Sequence, residues 1–173
     1  MSKRALKNYL NELTKPQLEA QVMDLYQRFA AVKTYYDFSF NPKEDKLIAE
    51  AKFKIKKEYF PQGRRKPKAR RSVAQKYFRH FEQICLEASL LADLMLYNIE
   101  TAQKYNRVKP QRADAFYKSM GNSFTQALSF LTYNGLAHEF ADRLKAIVEE
   151  ATNQEWYNWE FMEEQLEEAA LDK

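Results

Sequence analysis

Lys52, Lys54, Lys56, Lys57, Arg64, Arg65, Lys66, Lys68, Arg70 and Arg71 stand close together in a stretch that holds one acid, Glu58. Ammonium and guanidinium groups at this density displace the counterions condensed on a phosphate backbone, so the chemistry they point to is electrostatic capture of a polyanion. The run, Lys52 to Arg71, falls into three parts. Its lysines up to Lys57 belong to the end of a helix. Pro61, Gly63 and Pro67 then bound an exposed connector, Pro61 to Lys68, that carries Arg64, Arg65 and Lys66. Arg70, Arg71 and Ser72 sit near the start of the next helix, where each guanidinium beside the positive end of the macrodipole costs about 0.3 to 1 kcal/mol. A bound anion would offset that cost, because the free N–H groups of a helix start and the forked donors of arginine suit phosphate or carboxylate. If the helix instead begins directly after Pro67, the pair lies within its first turns and meets nearby acids. The expected anion-binding set is Arg64, Arg65, Lys66, Lys68, Arg70, Arg71 and Ser72, acting through charge and not by reading bases. Phe53, Tyr59, Phe60 and Tyr77 neighbour these cations, and rings so placed can stack on unpaired bases. They also recur at helical spacing, which suits a core better.

Other chemistry is thinly represented. His138 and Asp142, four residues apart with Glu139 between them, would share one side of a helix and make half a metal site. Completing it would need His80, Asp93 or Glu100 to converge, and the spacing differs from the zinc-protease motif, which places a second His at the fourth position. Cys85 follows Phe78 and Phe81 on the apolar side of its helix, where a thiol is inert packing. Asp93, Tyr97 and Glu100 form a polar stripe whose simplest role is a solvated or helix-facing edge. No nucleophile elbow, P-loop or dinucleotide fingerprint occurs, so no catalytic residue, metal or cofactor is expected. Trp156, Tyr157, Trp159, Phe161 and Met162 open an acidic C-terminal segment, and docking of these rings on the core fits better than exposure as a binding patch.

The elements that must position these groups are helical throughout. Only Gly63, Gly121 and Gly135 interrupt 173 residues, too few for tight hairpins or phosphate-cradling loops. Leu6, Tyr9, Leu10 and Leu13 make a short first helix. Thr14, with Pro16 and Gln17, opens a second that runs to about Tyr36 with Leu18, Val22, Leu25, Tyr26, Phe29 and Val32 on its apolar side. Asp37 to Phe40 reads as an aromatic linker, and Asn41 as the cap of a third helix with Leu47, Ile48, Ala51, Ile55 and Tyr59 turned inward. A fourth holds Val73, Tyr77, Phe78, Phe81 and Ile84. A fifth, from about Ala88, is the most apolar and is the expected centre, with Leu90, Leu91, Leu94, Met95, Asn98, Ile99 and Ala102. A sixth spans about Gln111 to Tyr133 and ends at Asn134 and Gly135; a seventh holds Phe140, Leu144, Ile147 and Val148, and an amphipathic segment follows Asn153. No fixed repeat is visible. The expected fold is all-α, an irregular bundle of seven or eight helices in one domain over residues 1–173.

The formal charge of +4 conceals an asymmetry: nine acids from Glu149 to Asp172 face only Lys173, so a basic middle precedes an acidic end. The acidic segment is a rival occupant of the basic run, within one molecule or between two. A lone cysteine excludes an intramolecular disulfide. The start lacks the apolar stretch of a signal peptide, and Leu86 to Ile99 is too broken and short for a bilayer, so no membrane association and a cytoplasmic setting are expected.

Three strings, Lys68 to Lys76, Ala92 to Glu100 and Tyr35 to Pro42, resemble those of a family of small bacterial proteins built on a domain of unknown function. The resemblance covers almost the whole chain. It implies a single helical domain in the bacterial cytoplasm and brings no activity, cofactor or catalytic residue. The expected function is that of a non-enzymatic binding or adaptor protein whose basic surface takes nucleic acid or an acidic protein. The alternative is a structural module that forms a homo-oligomer through its basic and acidic regions; a metal-dependent enzyme using His138 and Asp142 is a third, weaker reading.

Overall fold

The computed structural model describes residues 2–40 and 42–171, and these are helical with no strand among them. Their helices are α1 (Lys3–Asn11), α2 (Lys15–Arg28), α3 (Ala30–Phe40), α4 (Glu44–Tyr59), α5 (Arg71–Gln83), α6 (Ala88–Val108), α7 (Asp114–Tyr133), α8 (Ala141–Asn153) and α9 (Trp159–Leu171). Contacts divide the chain into two compact units, residues 1–43 and 44–173. No helix among the described residues is long and apolar enough to cross a membrane.

In the first unit, α2 begins as its sequence dictates: the Gln17 side chain accepts the Thr14 N–H at 2.8 Å. It does not run to Tyr36. Phe29 takes an extended conformation (φ −116°, ψ 112°), the chain restarts at Ala30, and residues 37–40, expected as a linker, form the last turn of α3. This break raises the helix count above the expected seven or eight. The Tyr26 hydroxyl donates to Asp37 at 2.6 Å and pins α2 to α3. None of the three helices contains a buried residue.

The second unit is organised around α6, which packs against α4, α5, α7 and α8, while α9 lies on α7 and α8. Leu91, Leu94, Met95, Leu96 and Ile99 are at most 2% exposed, each worth roughly 1.5–3 kcal/mol of transfer free energy. From α4, Ile48, Ala51, Ile55 and Tyr59 complete this core, as their spacing predicts. Asn41, expected to cap that helix, lies outside the described residues, as do Asp172 and Lys173 at the chain end. Trp156 and Met162 are buried, and the Trp156 indole donates to Gln154 at 3.0 Å. Docking therefore accounts for Trp156 and Met162, while Tyr157 and Phe161 stay half exposed.

The polar stripe of α6 is a helix-facing edge. Asp93 accepts from Lys52 of α4 at 2.5 Å and from Arg143 of α8 at 2.6 Å, and Arg143 also forks onto Glu100 at 2.5 and 3.0 Å. One ion network thus clamps two helices to the central one. Burial pushes the Asp93 carboxyl up, but its two cations outweigh this and hold it below its ordinary value.

Three helices of this unit end in the same way. After α5, α7 and α8, Cys85, Gly135 and Glu155 adopt positive φ (55°, 69° and 53°), and the next N–H returns to the carbonyl five residues back: Leu86 to Phe81, Leu136 to Leu131, Trp156 to Ala151. The expectation for Cys85 is thereby corrected. The helical spiral ends at Gln83, and the left-handed residue turns its thiol out to solvent while Ile84 and Leu86 enter the core.

Candidate anion-binding groove

The apolar sides of α4 and α5 face inward, through Ile55 and Tyr59 on one and Ala74, Phe78 and Phe81 on the other. The neighbouring stripe of each helix is left facing the gap between them. On α4 this stripe is Lys54, Lys57 and Glu58, continued by Pro61; on α5 it is Val73, Lys76, Tyr77 and His80. Both follow steps of three, one and three residues, the signature of a single helical face. With Arg65, Lys66, Lys68 and Arg70 of the connector they enclose an open groove of about 830 Å³.

Glu58 shapes the third wall. Its carbonyl accepts the N–H groups of Lys68 and Ala69 at 3.0 and 3.1 Å, with Ala69 at φ 47°, so the connector folds back over the end of α4. Its carboxylate receives the fork of Arg70, Nε and Nη2 each at 2.9 Å. These hydrogen bonds hold the Glu58 carboxyl below its ordinary value despite partial burial, with Lys68 contributing further. Among the described residues, Lys54, Lys57, Arg65, Lys66, Lys68 and Lys76 form no ion pair. The groove is therefore strongly positive, with its one lining acid already matched by Arg70.

The expected anion-binding residues separate. Arg65, Lys66, Lys68 and Arg70 line the groove, whereas Arg64, Arg71 and Ser72 do not. Arg71, the first residue of α5, turns toward α7 and donates from Nε to Ser123 and from Nη2 to Gln126, both at 2.9 Å; Gln75 also donates to Gln126 at 2.7 Å. Burial lowers the proton affinity of the Arg71 guanidinium, with Tyr59 acting in the opposite sense. The two arginines at the helix start are thus each held by groups of the protein itself. Lys52, at the other end of the run, is taken by Asp93 and lies 5.3 Å over the Tyr97 ring.

The four neighbouring rings separate too. Tyr59 is buried, and Phe60 packs edge-on to Tyr105 at 5.9 Å. Phe53 is half exposed, with Lys57 over its face at 5.9 Å. Tyr77 alone of the four lines the groove. Its hydroxyl pKa is raised, first by burial and then by Glu50.

Lys54, Lys57, Lys76, Tyr77 and His80 are absent from the expected set. Their signal is the pair of matching stripes, 54-57-58-61 and 73-76-77-80, and only the packing of α4 on α5 shows that the two face one gap. His138 lies in a turn before α8, so the helical relation to Asp142 does not hold. No cluster of three or more metal-ligating side chains occurs among the described residues. No ion pair among them joins α9 to the basic run; Glu160, Glu163, Glu164, Glu167 and Glu168 are exposed.

A family model described as a family of unknown function (DUF6155) matches residues 1–169, and the chain belongs to that family. No curated protein and no solved structure matches it.

Proposed function

We propose that this member of the family is a nucleic-acid-binding protein that holds a phosphate backbone in the groove between α4, the connector and α5. The observation that carries the reading is the convergence of six unpaired cations on one groove whose single acid is already engaged. Lysine and arginine side chains placed there displace condensed counterions, and the gain grows with each phosphate contacted. In this reading the contacts position a backbone, and the protein acts by binding.

The test is an anisotropy titration of a labelled oligonucleotide at several salt concentrations. Two to four phosphate contacts predict that log K falls with log[salt] at a slope of about −1.5 to −3.5. Absence of binding at low ionic strength overturns the reading.

A second reading rests on the exposed, unpaired acids of α9. In it, the acidic helix of one molecule occupies the basic groove of another, and the protein is a self-associating module. Sedimentation decides between them: a salt-sensitive dimer without oligonucleotide binding favours self-association.

A further inference from the structure

We infer that the groove selects an unpaired strand, one of whose bases stacks on Tyr77; this rests on the nucleic-acid reading of the same groove. The apolar lining residues Pro61, Val73 and Tyr77 are half-buried, whereas Lys54, Arg65, Lys66, Lys68 and Lys76 are exposed. The site therefore has an apolar floor and a cationic rim. Free phosphate or a base-paired backbone would use the rim alone. A strand with unstacked bases uses both, its phosphates at the rim and a π-face on the floor.

Tyr77 is suited to that task. Its ring is backed by Phe81, with centroids 5.9 Å apart, so its position is set by the core. Its hydroxyl makes no hydrogen bond among the described residues. The lining stripe on α5 runs from Val73 to His80, seven helical steps or about 10 Å. That length accepts roughly two or three nucleotides at about 3.4 Å or more apiece. A duplex offers its base faces only to its own stack, and an acidic peptide brings carboxylates but no flat ring required to meet Tyr77. The floor thus discriminates among polyanions that the rim treats alike.

The experiment compares short oligo(dT), a blunt-ended duplex at equal phosphate concentration, and inorganic polyphosphate, at one low salt concentration. The wild-type protein is expected to bind oligo(dT) about tenfold more tightly than the duplex. Tyr77→Leu keeps an apolar floor and is expected to weaken oligo(dT) binding about five- to tenfold, with polyphosphate binding unchanged, as loss of one stacked base requires. Tyr77→Phe retains the ring and restores oligo(dT) affinity. Equal affinity for oligo(dT) and duplex, or a Tyr77→Leu loss shared by polyphosphate, overturns the inference while leaving a backbone-binding groove. Failure of the wild-type protein to bind either nucleic acid overturns the underlying reading as well.

Discussion

Arg70 and Glu58 close the connector between α4 and α5 with a two-pronged ion pair, each guanidinium nitrogen 2.9 Å from a different carboxylate oxygen. The same glutamate anchors the connector through its carbonyl, which accepts from Lys68 and Ala69. Charge and backbone geometry are thus coupled at one residue. Glu58 is also the acid that opposes an anion in the groove, so its removal separates shape from charge.

Glu58→Gln keeps the backbone anchor and one acceptor for Arg70 but removes the opposing charge. Oligonucleotide affinity is expected to rise up to about tenfold at low salt, as loss of one nearby like charge in a solvated site allows. In the wild-type protein the carboxyl is held below its ordinary 4.5. A depressed acid contributes stability that is complete above that value and is lost as pH falls through the lower folded value. Melting temperatures measured between neutral and strongly acid pH should therefore show a wild-type decline on the acid side that Glu58→Gln shows less. Identical acid limbs would remove Glu58 from the account.

Lys57 of α4 and Lys76 of α5 both line the groove, whereas Arg71, although within the basic run, is turned into α7. Lys57→Ala and Lys76→Ala should each reduce the salt slope of oligonucleotide binding by about 0.7 to 1 and leave melting nearly unchanged. Arg71→Ala should do the reverse. It removes hydrogen bonds to Ser123 and Gln126, at a stability cost of about 2 kcal/mol in urea unfolding, while the folded variant keeps its salt slope. A reduced slope in Arg71→Ala with unchanged stability would place that arginine in the groove.

The difference between these arginines shows what was legible in the sequence. Apolar period located α6 and the inward faces of α4 and α5, because burial there is continuous and in phase. The break at Phe29 was not legible: Leu25, Phe29, Val32 and Tyr36 keep helical spacing straight through it, and the extended residue is a backbone event that apolar spacing does not record. The basic run was plain as composition. Its division was not, since neighbouring residues on one helix start point in different directions, Arg70 to α4 and Arg71 to α7. Tyr59 and Tyr77 illustrate the same limit, being equivalent rings in sequence that α6 buries in one case and the groove exposes in the other.

Arg143 holds two carboxylates of α6, and its side chain is 28% exposed. Arg143→Ala leaves Asp93 with Lys52 alone and Glu100 without its fork. The expected cost is about 2 kcal/mol, below the 3 to 5 typical of a fully buried pair because water reaches both acids. Adding Glu100→Ala should return part of that loss, since the second change removes the carboxylate that the first left unpaired. A double-mutant cycle by urea denaturation measures the coupling. Strict additivity would show that the network contributes no pairwise energy.

Cys85 and Glu155 occupy the left-handed position that Gly135 fills at the end of α7. A side chain there brings Cβ toward the following carbonyl, at roughly 1 to 2 kcal/mol. Glycine relieves this contact, although its greater freedom in the unfolded chain takes back part of the gain. Cys85→Gly and Glu155→Gly are each expected to stabilise the protein by about 0.5 to 1 kcal/mol, a rise in Tm of roughly 1 to 4 °C for a chain of this size. Both side chains are exposed, so no packing is lost to set against the backbone. Gly135→Ala should move Tm the other way: a Cβ there meets nothing within 4 Å, which leaves the positive φ as the source of the loss. Calorimetry on the three variants checks the relation between them, and a fall in Tm for Glu155→Gly would show that the side chain does something at this helix end that the backbone argument omits.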